Sequence, residues 1–493
     1  MTSWTVGQLL EATGGELVPS PVWSAGGRRL TGVSLAVGQQ TGGGMVTGDP
    51  TLRPVSGISL DSRRLQPGEA FVAIRGQRFD AHDFLPEAIA RGAACLIVAR
   101  LPEPLPSVAT ILVPDTVQAL GAIAAFHRAR CPIPVIAVTG SCGKTTTKEL
   151  IAHLLQVSRR VLKTQGTENN HIGLPLTVLK LTASHEVAVV ELGSNHPGEI
   201  AYLANIARPT VAVITNVGPA HLEFFGSLDG VRREKVSLVE ALGPGGWAIV
   251  PGDQLDVLLE AKSRLAPGAR LMTFGTSTQC GIQADDIRRE DRGLSMRVRD
   301  VPGRFALPLL GLHNLENALA ALACVKALGI PLESVQEPLR RFEPLPWRSQ
   351  LIQANGITIV NDCYNANPLS FARALEIFRD LSVRRKVLIA GDMLELGEDA
   401  PLAHQTIGRL ATQVGVDVVV AVGSFAAEVA KGAATGDHIT PMTCRTVEEL
   451  QDLLPTILQA GDGLLIKGSR KLQLEQVTEF LLQRFSNHEQ CNQ

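Results

Sequence analysis

Gly140, Ser141, Cys142, Gly143, Lys144, Thr145 and Thr146 follow the apolar run Val135-Ile-Ala-Val138 and lead into a stretch with helical spacing. Apolar strand, Gly-x-x-Gly-Lys-Thr and helix, in that order, are the parts of a phosphate-binding loop. The glycines let backbone N–H groups turn inward onto a triphosphate at a helix N-terminus, Lys144 neutralises the β/γ oxygens, and the Thr145 hydroxyl can ligate Mg²⁺. The first glycine of the longer form G-x-x-x-x-G-K-S/T would fall at 138, which is Val. A glycine turn before an ordinary helix is the alternative, and the presence of all three parts weighs against it.

An ATPase also needs an acidic group at the end of a neighbouring strand. Glu191 closes Val187-Ala-Val-Val190 and opens the loop Leu-Gly-Ser-Asn-His-Pro-Gly198. Such an acid is as often a cap or turn former as a metal ligand, and the phosphate loop tips it toward the metal. A third run, Val211-Ala-Val-Ile214, ends in a polar loop carrying His221 and Glu223, both within reach of a nucleotide. A lone loop histidine is more often structural, and Mg²⁺ prefers oxygen to imidazole. Lys235, in Val231-Arg-Arg-Glu-Lys-Val236, reads from its neighbours as part of a charged, solvated helix face.

These side chains need buried strands to carry them. The three runs above, with Val387-Leu-Ile-Ala390 and Val418-Val-Val-Ala421, are short and apolar on both faces, as in parallel strands covered on each side. Helical spacing between them at 116–128, 146–156, 314–328, 368–380 and 404–414 predicts an α/β chain with doubly wound, mostly parallel sheets. At about 150 residues per domain, 493 residues suggest three domains. The Pro-rich stretches Leu101–Ser107 and Phe342–Trp347 place them at 1–107, 108–343 and 344–493. Within the first, residues 21–50 hold eight glycines and read as a flexible surface insertion.

Composition narrows the function. A hydrophobic content of 45% and a charged content of 19% exclude disorder. Lys+Arg 46 against Asp+Glu 48 gives a net charge of -2, without the basic excess of a nucleic-acid binder. Eight cysteines without a C-x-x-C pair read as reduced thiols. Neither a leader nor an apolar run long enough for a membrane span is evident, so a soluble, cytoplasmic protein is expected.

The phosphate loop, Glu168-Asn-Asn-His-Ile-Gly-Leu-Pro175, Glu191-Leu-Gly-Ser-Asn-His-Pro-Gly-Glu199, Ala220-His-Leu-Glu-Phe-Phe-Gly226, His313-Asn-Leu-Glu-Asn-Ala-Leu-Ala320 and Asp362-Cys-Tyr-Asn-Ala-Asn-Pro368 resemble the Mur ligase family, in its order and over nearly the whole chain. Gly391-Asp-Met-Leu-Glu-Leu-Gly397 and Lys467-Gly-Ser-Arg470 resemble the branch that joins D-alanyl-D-alanine to UDP-N-acetylmuramoyl-tripeptide, and the Asp-Asn-Pro-Arg motif of the diaminopimelate-adding branch does not occur.

The resemblance implies an N-terminal domain holding the UDP-sugar, a central P-loop ATPase and a C-terminal Rossmann-like domain. By it, Asp61, Ser62, Arg63, the 76–84 stretch and Asn170 serve the UDP-muramoyl substrate. Thr145 and Glu191 hold one Mg²⁺ and His221 a second, while Lys235 is a carbamylated lysine. Carbamylation makes chemical sense because an ammonium only donates, whereas a carbamate is an anionic oxygen ligand. Asn314 and Asn317 lie near the adenine, Asp362 near the ribose, and Arg348 against the γ-phosphate, unless Arg348 is a solvated linker residue. Tyr364, Asn365 and Asn367 line the substrate crevice, and Lys467 and Arg470 hold the dipeptide carboxylate or cap their strand. His196 is a candidate base for the attacking amine, with a structural role as its alternative. A monomer using ATP to make an acyl phosphate follows. The competing readings are a folylpolyglutamate-synthase-like ligase, a nucleotide-gated switch and a simple kinase.

Overall fold

The computed structural model of the protein describes residues 4–18, 49–436 and 439–491, with side chains as far as Arg484. The expected insertion at 21–50 therefore lies outside the described residues, except for its last two; Pro50 opens a single helical turn, Pro50–Leu52.

The first unit is a sheet in the order Glu16–Val18, Ala109–Leu112, Cys95–Val98, Ala70–Val72, Ile58–Ser59, antiparallel only at its first pair. The boundary expected at 107 is thereby corrected. The prolines at 102–106 interrupt only the connection between two paired strands, because the apolar run at 109–112 resumes pairing as soon as they end. The helix Thr116–Ala129 follows, its first amides bonded to the Asp115 carboxylate.

Among the described residues the central sheet has nine strands. From Val161–Lys163 through Val187–Glu191, Val135–Thr139, Val211–Ile214, Trp247–Pro251 and Arg270–Gly275 to Ile282–Glu290 they are parallel; Gly293–Val298 and Phe305–Leu307 continue antiparallel. Val135–Thr139 is flanked by Val187–Glu191 and Val211–Ile214, and all three are wholly buried. Parallel pairing brings the ends of these three strands, and the polar loops after them, to one edge of the sheet. The helix Lys144–Leu155 packs on the alanine-rich helix Leu312–Ala327, whose small side chains permit close approach. It starts at Lys144 rather than at 146 because Gly143, at φ +81°, forms the turn immediately before it.

The third unit is a sheet in the order Gln350–Ala354, Ile357–Asn361, Asp462–Lys467, Arg385–Gly391, Val418–Val422, Thr440–Cys444, parallel apart from its first pair. The late strand Asp462–Lys467 thus lies between two earlier ones, which sets Lys467 beside the loop that follows Asn361. The chain is an α/β protein of mostly parallel sheets. The cysteines with described side chains are all free, and no helix among the described residues is long and apolar enough to cross a membrane.

Asp392, buried at the end of Arg385–Gly391, accepts the Ser424 and Phe425 amides at 2.8 and 2.9 Å, where the helix Ala426–Ala433 begins. Asp392→Ala leaves both amides without that carboxylate and is expected to cost about 1–3 kcal/mol, seen as an earlier thermal unfolding step in calorimetry.

Candidate active site

The phosphate loop is shaped from the neighbouring strand. Thr215 Oγ1 and Asn216 Nδ2 donate to the Cys142 carbonyl at 2.5 and 3.0 Å, and Asn216 Oδ1 accepts the Cys142 amide at 3.1 Å. Ser141 Oγ donates to the Gly218 carbonyl and accepts the Gly218 amide. Gly140, at φ +145°, lies so close to Thr215 that a β-carbon would collide with it; at Gly143 the collision would be with Asn317. Lys144 Nζ arches back to the Gly140 carbonyl at 2.8 Å. Burial lowers its pKa, partly countered by the Glu191 charge, so an anion in the loop would find a desolvated cation.

Glu191 is fully buried at the end of its strand. Its Oε1 accepts Asn169 Nδ2 at 2.7 Å, while Oε2 is buried without a hydrogen-bond partner. The nearest cation is Lys148, buried on the phosphate-loop helix with Nζ 3.9 Å from Oε2. Lys148 instead donates to the Thr164 and Gly166 carbonyls, each at 2.8 Å, and pairs with Glu149 at 3.0 Å. An orphaned carboxylate oxygen and the Thr145 hydroxyl are hard oxygen donors, the kind Mg²⁺ takes together with phosphate oxygens and water. Among the described residues no cluster of three or more His, Cys, Asp or Glu could hold a metal by itself.

Lys235, read from its neighbours as solvated, is almost completely buried. Its Nζ donates to Ser194 Oγ at 2.6 Å and to the Ser194 carbonyl at 3.2 Å, 5.3 Å from the centre of the Phe225 ring. Burial, and next the Lys144 charge, push its pKa down to about 7. His221, at φ +53°, meets the Glu395 carboxylate through Nδ1, a contact from the central unit to the C-terminal one. That bond holds the Glu395 carboxyl below its usual range. Glu223 packs beside Gly397 and does not line the nucleotide cavity. His196 is half exposed, its ring 4.4 Å from that of Phe224 and its Nδ1 3.2 Å from Asn195 Oδ1.

The C-terminal unit supplies the opposite wall. Arg348 Nη2 donates to Thr145 Oγ1 at 2.8 Å, and its Cζ lies 4.0 Å from the centre of the Tyr364 ring, so it is held in the cavity rather than in open solvent. Asp362 takes the Ser349 amide at 2.9 Å and Lys467 Nζ at 2.5 Å. Lys467 is also bonded to the Asn365 carbonyl and is almost fully buried, so its ammonium is engaged within this unit. Arg470 pairs with Glu475 at 2.6 Å and stacks on Trp347, away from the cavity. Asn367 caps the helix Pro368–Asp380 through Ser370, and touches Cys142 Sγ at 3.4 Å. Of the pair expected to hold the dipeptide carboxylate or cap their strand, Lys467 lines the cavity and Arg470 does not, and both heads have intramolecular partners.

One cavity of about 490 Å³ joins these walls. The loop residues 141–146 form its floor, with Glu191, His221, Asn314 and Asn317 on one side and Arg348, Asp362, Tyr364, Asn365, Asn367 and Lys467 on the other. Asn170 also lines it, although its Oδ1 accepts the Ile172 and Gly173 amides. Gly140 and Lys235 lie just behind the lining. Asp61, Ser62 and Arg63 are elsewhere, in the first unit: Asp61 and Arg63 pair with each other at 2.8 Å, and Ser62 donates to Glu87 at 2.7 Å.

Models of the Mur ligase family, catalytic domain, of the Mur ligase middle domain, and of the Mur ligase glutamate ligase domain match residues 54–128, 138–325 and 347–470. The chain belongs to the Mur ligase family. Two relatives, the UDP-N-acetylmuramoyl-tripeptide–D-alanyl-D-alanine ligases of Bacillus subtilis and Escherichia coli, are 35% and 36% identical over 87% and 86% of this chain and 93% of their own. MurF from Acinetobacter baumannii superposes with TM-score 0.83 at 32% identity over 98% of this chain and 99% of its own. The ADP complex of Thermotoga maritima MurF gives 0.79 at 29% over 88% and 98%. A Mycobacterium tuberculosis folylpolyglutamate synthase, at 18% identity and TM-score 0.59 over 74% and 94%, shares the fold.

Several residues of this Mur ligase cavity escape sequence reasoning. Asn169 rather than Asn170 holds Glu191, and nothing in an Asn-Asn pair says which side chain turns inward. His313 lines the cavity with Nδ1 unpartnered, its pKa pushed down to about 3 by burial. Arg373, 2.8 Å from Glu316, and Glu395 join the domains. Thr215 and Asn216 had a signal, since both directly follow the apolar run at 211–214. For Gly143→Ala, backbone strain of roughly 1–3 kcal/mol and the collision with Asn317 are expected to weaken ADP binding by about tenfold or more, read by calorimetric titration.

Proposed function

We propose that the protein is an ATP-dependent ligase that joins D-alanyl-D-alanine to UDP-N-acetylmuramoyl-tripeptide in peptidoglycan precursor synthesis, releasing ADP and phosphate. The observation that carries this reading is the cavity in which Lys144, Thr145, Glu191 and Arg348 converge, in a chain similar almost end to end to ligases of that name. The first unit, with Asp61, Ser62, Arg63 and the 76–84 stretch, takes the UDP-sugar in this proposal. The substrates are soluble, and action as a cytoplasmic monomer belongs to the same proposal.

A carboxylate does not condense with an amine in water until it is activated. In the proposed reaction the terminal carboxylate of the tripeptide attacks the γ-phosphorus, the bond to ADP breaks, and an acyl phosphate forms. Lys144 at the loop and Arg348 from the opposite wall face the phosphates and offset the charge that spreads over the transferring group. The amine of the dipeptide then attacks the acyl carbon, loses a proton and expels phosphate. Asn314 and Asn317 border the adenine side, and Asp362, oriented by Ser349 and Lys467, the ribose side. Thr145 and Glu191 would hold Mg²⁺, which when bound neutralises phosphate oxygens. His221 and Lys235 would serve a second ion, Lys235 as a carbamate. The buried position of Lys235 against Ser194 supports this, because carbamylation needs an uncharged amine and a site that shields the product from water.

For Lys144→Ala, ADP release in a coupled assay is expected to fall by about a hundredfold or more, with UDP-substrate binding by calorimetry retained. Normal ligation by that variant would remove the phosphate-loop assignment. ADP release by the unaltered chain is expected to depend on D-alanyl-D-alanine, with the amide product seen by mass spectrometry. Release that ignores the dipeptide favours a switch, and a phosphorylated product without free phosphate a kinase. Lys235→Ala is expected to lose activity and regain part of it with added short-chain carboxylates; full activity without them would return Lys235 to a structural role.

A further inference from the structure

The hydroxyls of Thr167, in the central unit, and Tyr364, in the C-terminal unit, lie 2.6 Å apart. The Tyr364 ring carries the Arg348 guanidinium on its face, and Arg348 in turn reaches Thr145. The Tyr364 amide donates to the Trp347 carbonyl at 3.1 Å, so the two C-terminal loops are tied through the backbone as well. On the central side, Thr167 belongs to a turn whose Thr164 and Gly166 carbonyls are held by Lys148 and whose Asn169 holds Glu191. The contacts form a closed ring. They leave the helix Lys144–Leu155 at Thr145, pass through Arg348, Tyr364 and Thr167, and return to the same helix at Lys148.

We propose that Thr167 is a positioning residue for phosphoryl transfer: its hydroxyl fixes the Tyr364 ring, and the ring fixes the Arg348 guanidinium against the phosphate site. A ring face attracts a guanidinium through its quadrupole, but a ring free to change rotamer defines no single place for it. The hydrogen bond removes that freedom beforehand, so the positive charge stands in place before negative charge develops on the transferring phosphoryl group. Thr167 and Tyr364 belong to different units, and the arginine is therefore presented only when the units meet. The same turn carries Asn169 to Glu191, so the meeting is registered at the acid as well as at the arginine.

The inference rests on the ligase reading, and the test separates the two. Thr167→Val, Thr167→Ser, Tyr364→Phe and the Thr167→Val/Tyr364→Phe double variant are made in the full chain. Ligation kinetics and equilibrium affinity for Mg²⁺ with AMP-PNP are measured on each. Thr167→Val and Tyr364→Phe are each expected to lower kcat about tenfold with KM for the UDP-tripeptide unchanged, the double variant to fall no further, and Thr167→Ser to restore the rate. Full kcat in Thr167→Val, or losses that multiply in the double variant, would overturn the proposal. If the unaltered chain forms no amide, the ligase reading fails. The positioning role is then decided by AMP-PNP affinity, where shared, non-multiplying losses of about tenfold support it and unchanged or multiplying ones refute it.

Discussion

A buried ammonium, Lys148, sits at the centre of this molecule's chemistry. Removing such a charge from water costs several kcal/mol unless all its protons find acceptors. It finds them in two backbone carbonyls of the 164–170 turn and in Glu149, which Lys163 also pairs. That arrangement leaves no proton for Glu191, 3.9 Å away. One oxygen of the acid therefore has no hydrogen-bond donor and stays open to the cavity side of the strand end. The phosphate loop, the turn and the acidic strand end are arranged around that cation.

Positive charge accumulates across the cavity. Lys144, Arg348, Lys467 and Arg373 line it beside Glu191, Glu199 and Asp362, and Lys235 holds Ser194 of the lining from behind. Burial, and next the Lys144 charge, lower the Lys235 pKa. Nucleotide and UDP-linked substrates bring the phosphates that compensate. The domain boundary is bridged by opposite charges: Arg373 with Glu316, Arg289 with Asp380, and His221 with Glu395. The domains also meet inside the cavity, where Arg348 reaches Thr145 and Tyr364 meets Thr167.

What the sequence disclosed is what is local. A loop flanked by its own strand and helix is read within a dozen residues, and Glu191 declares itself by closing an apolar run. Lys235 does not, because its neighbours Arg232, Arg233 and Glu234 look solvated while only tertiary packing places Ser194 and Phe225 around it. The same holds for Lys467, whose carboxylate partner is 105 residues earlier, and for Thr167, whose partner is 197 residues later. The first boundary was misplaced for a physical reason. Prolines mark where regular structure stops, but they do not say whether the next strand returns to the sheet just left, as Ala109–Leu112 does.

The strand Asp462–Lys467 pairs on one side with Ile357–Asn361 and on the other with Arg385–Gly391. During synthesis those two earlier strands leave the ribosome with bare edges facing each other and nothing between them. Seventy further residues must be translated before the missing strand begins. Only then does the ammonium that orients Asp362 reach its place. The C-terminal unit's share of the cavity is therefore incomplete until that strand is in place, and a chain that stops before Asp462 lacks the ammonium on the wall facing its phosphate loop.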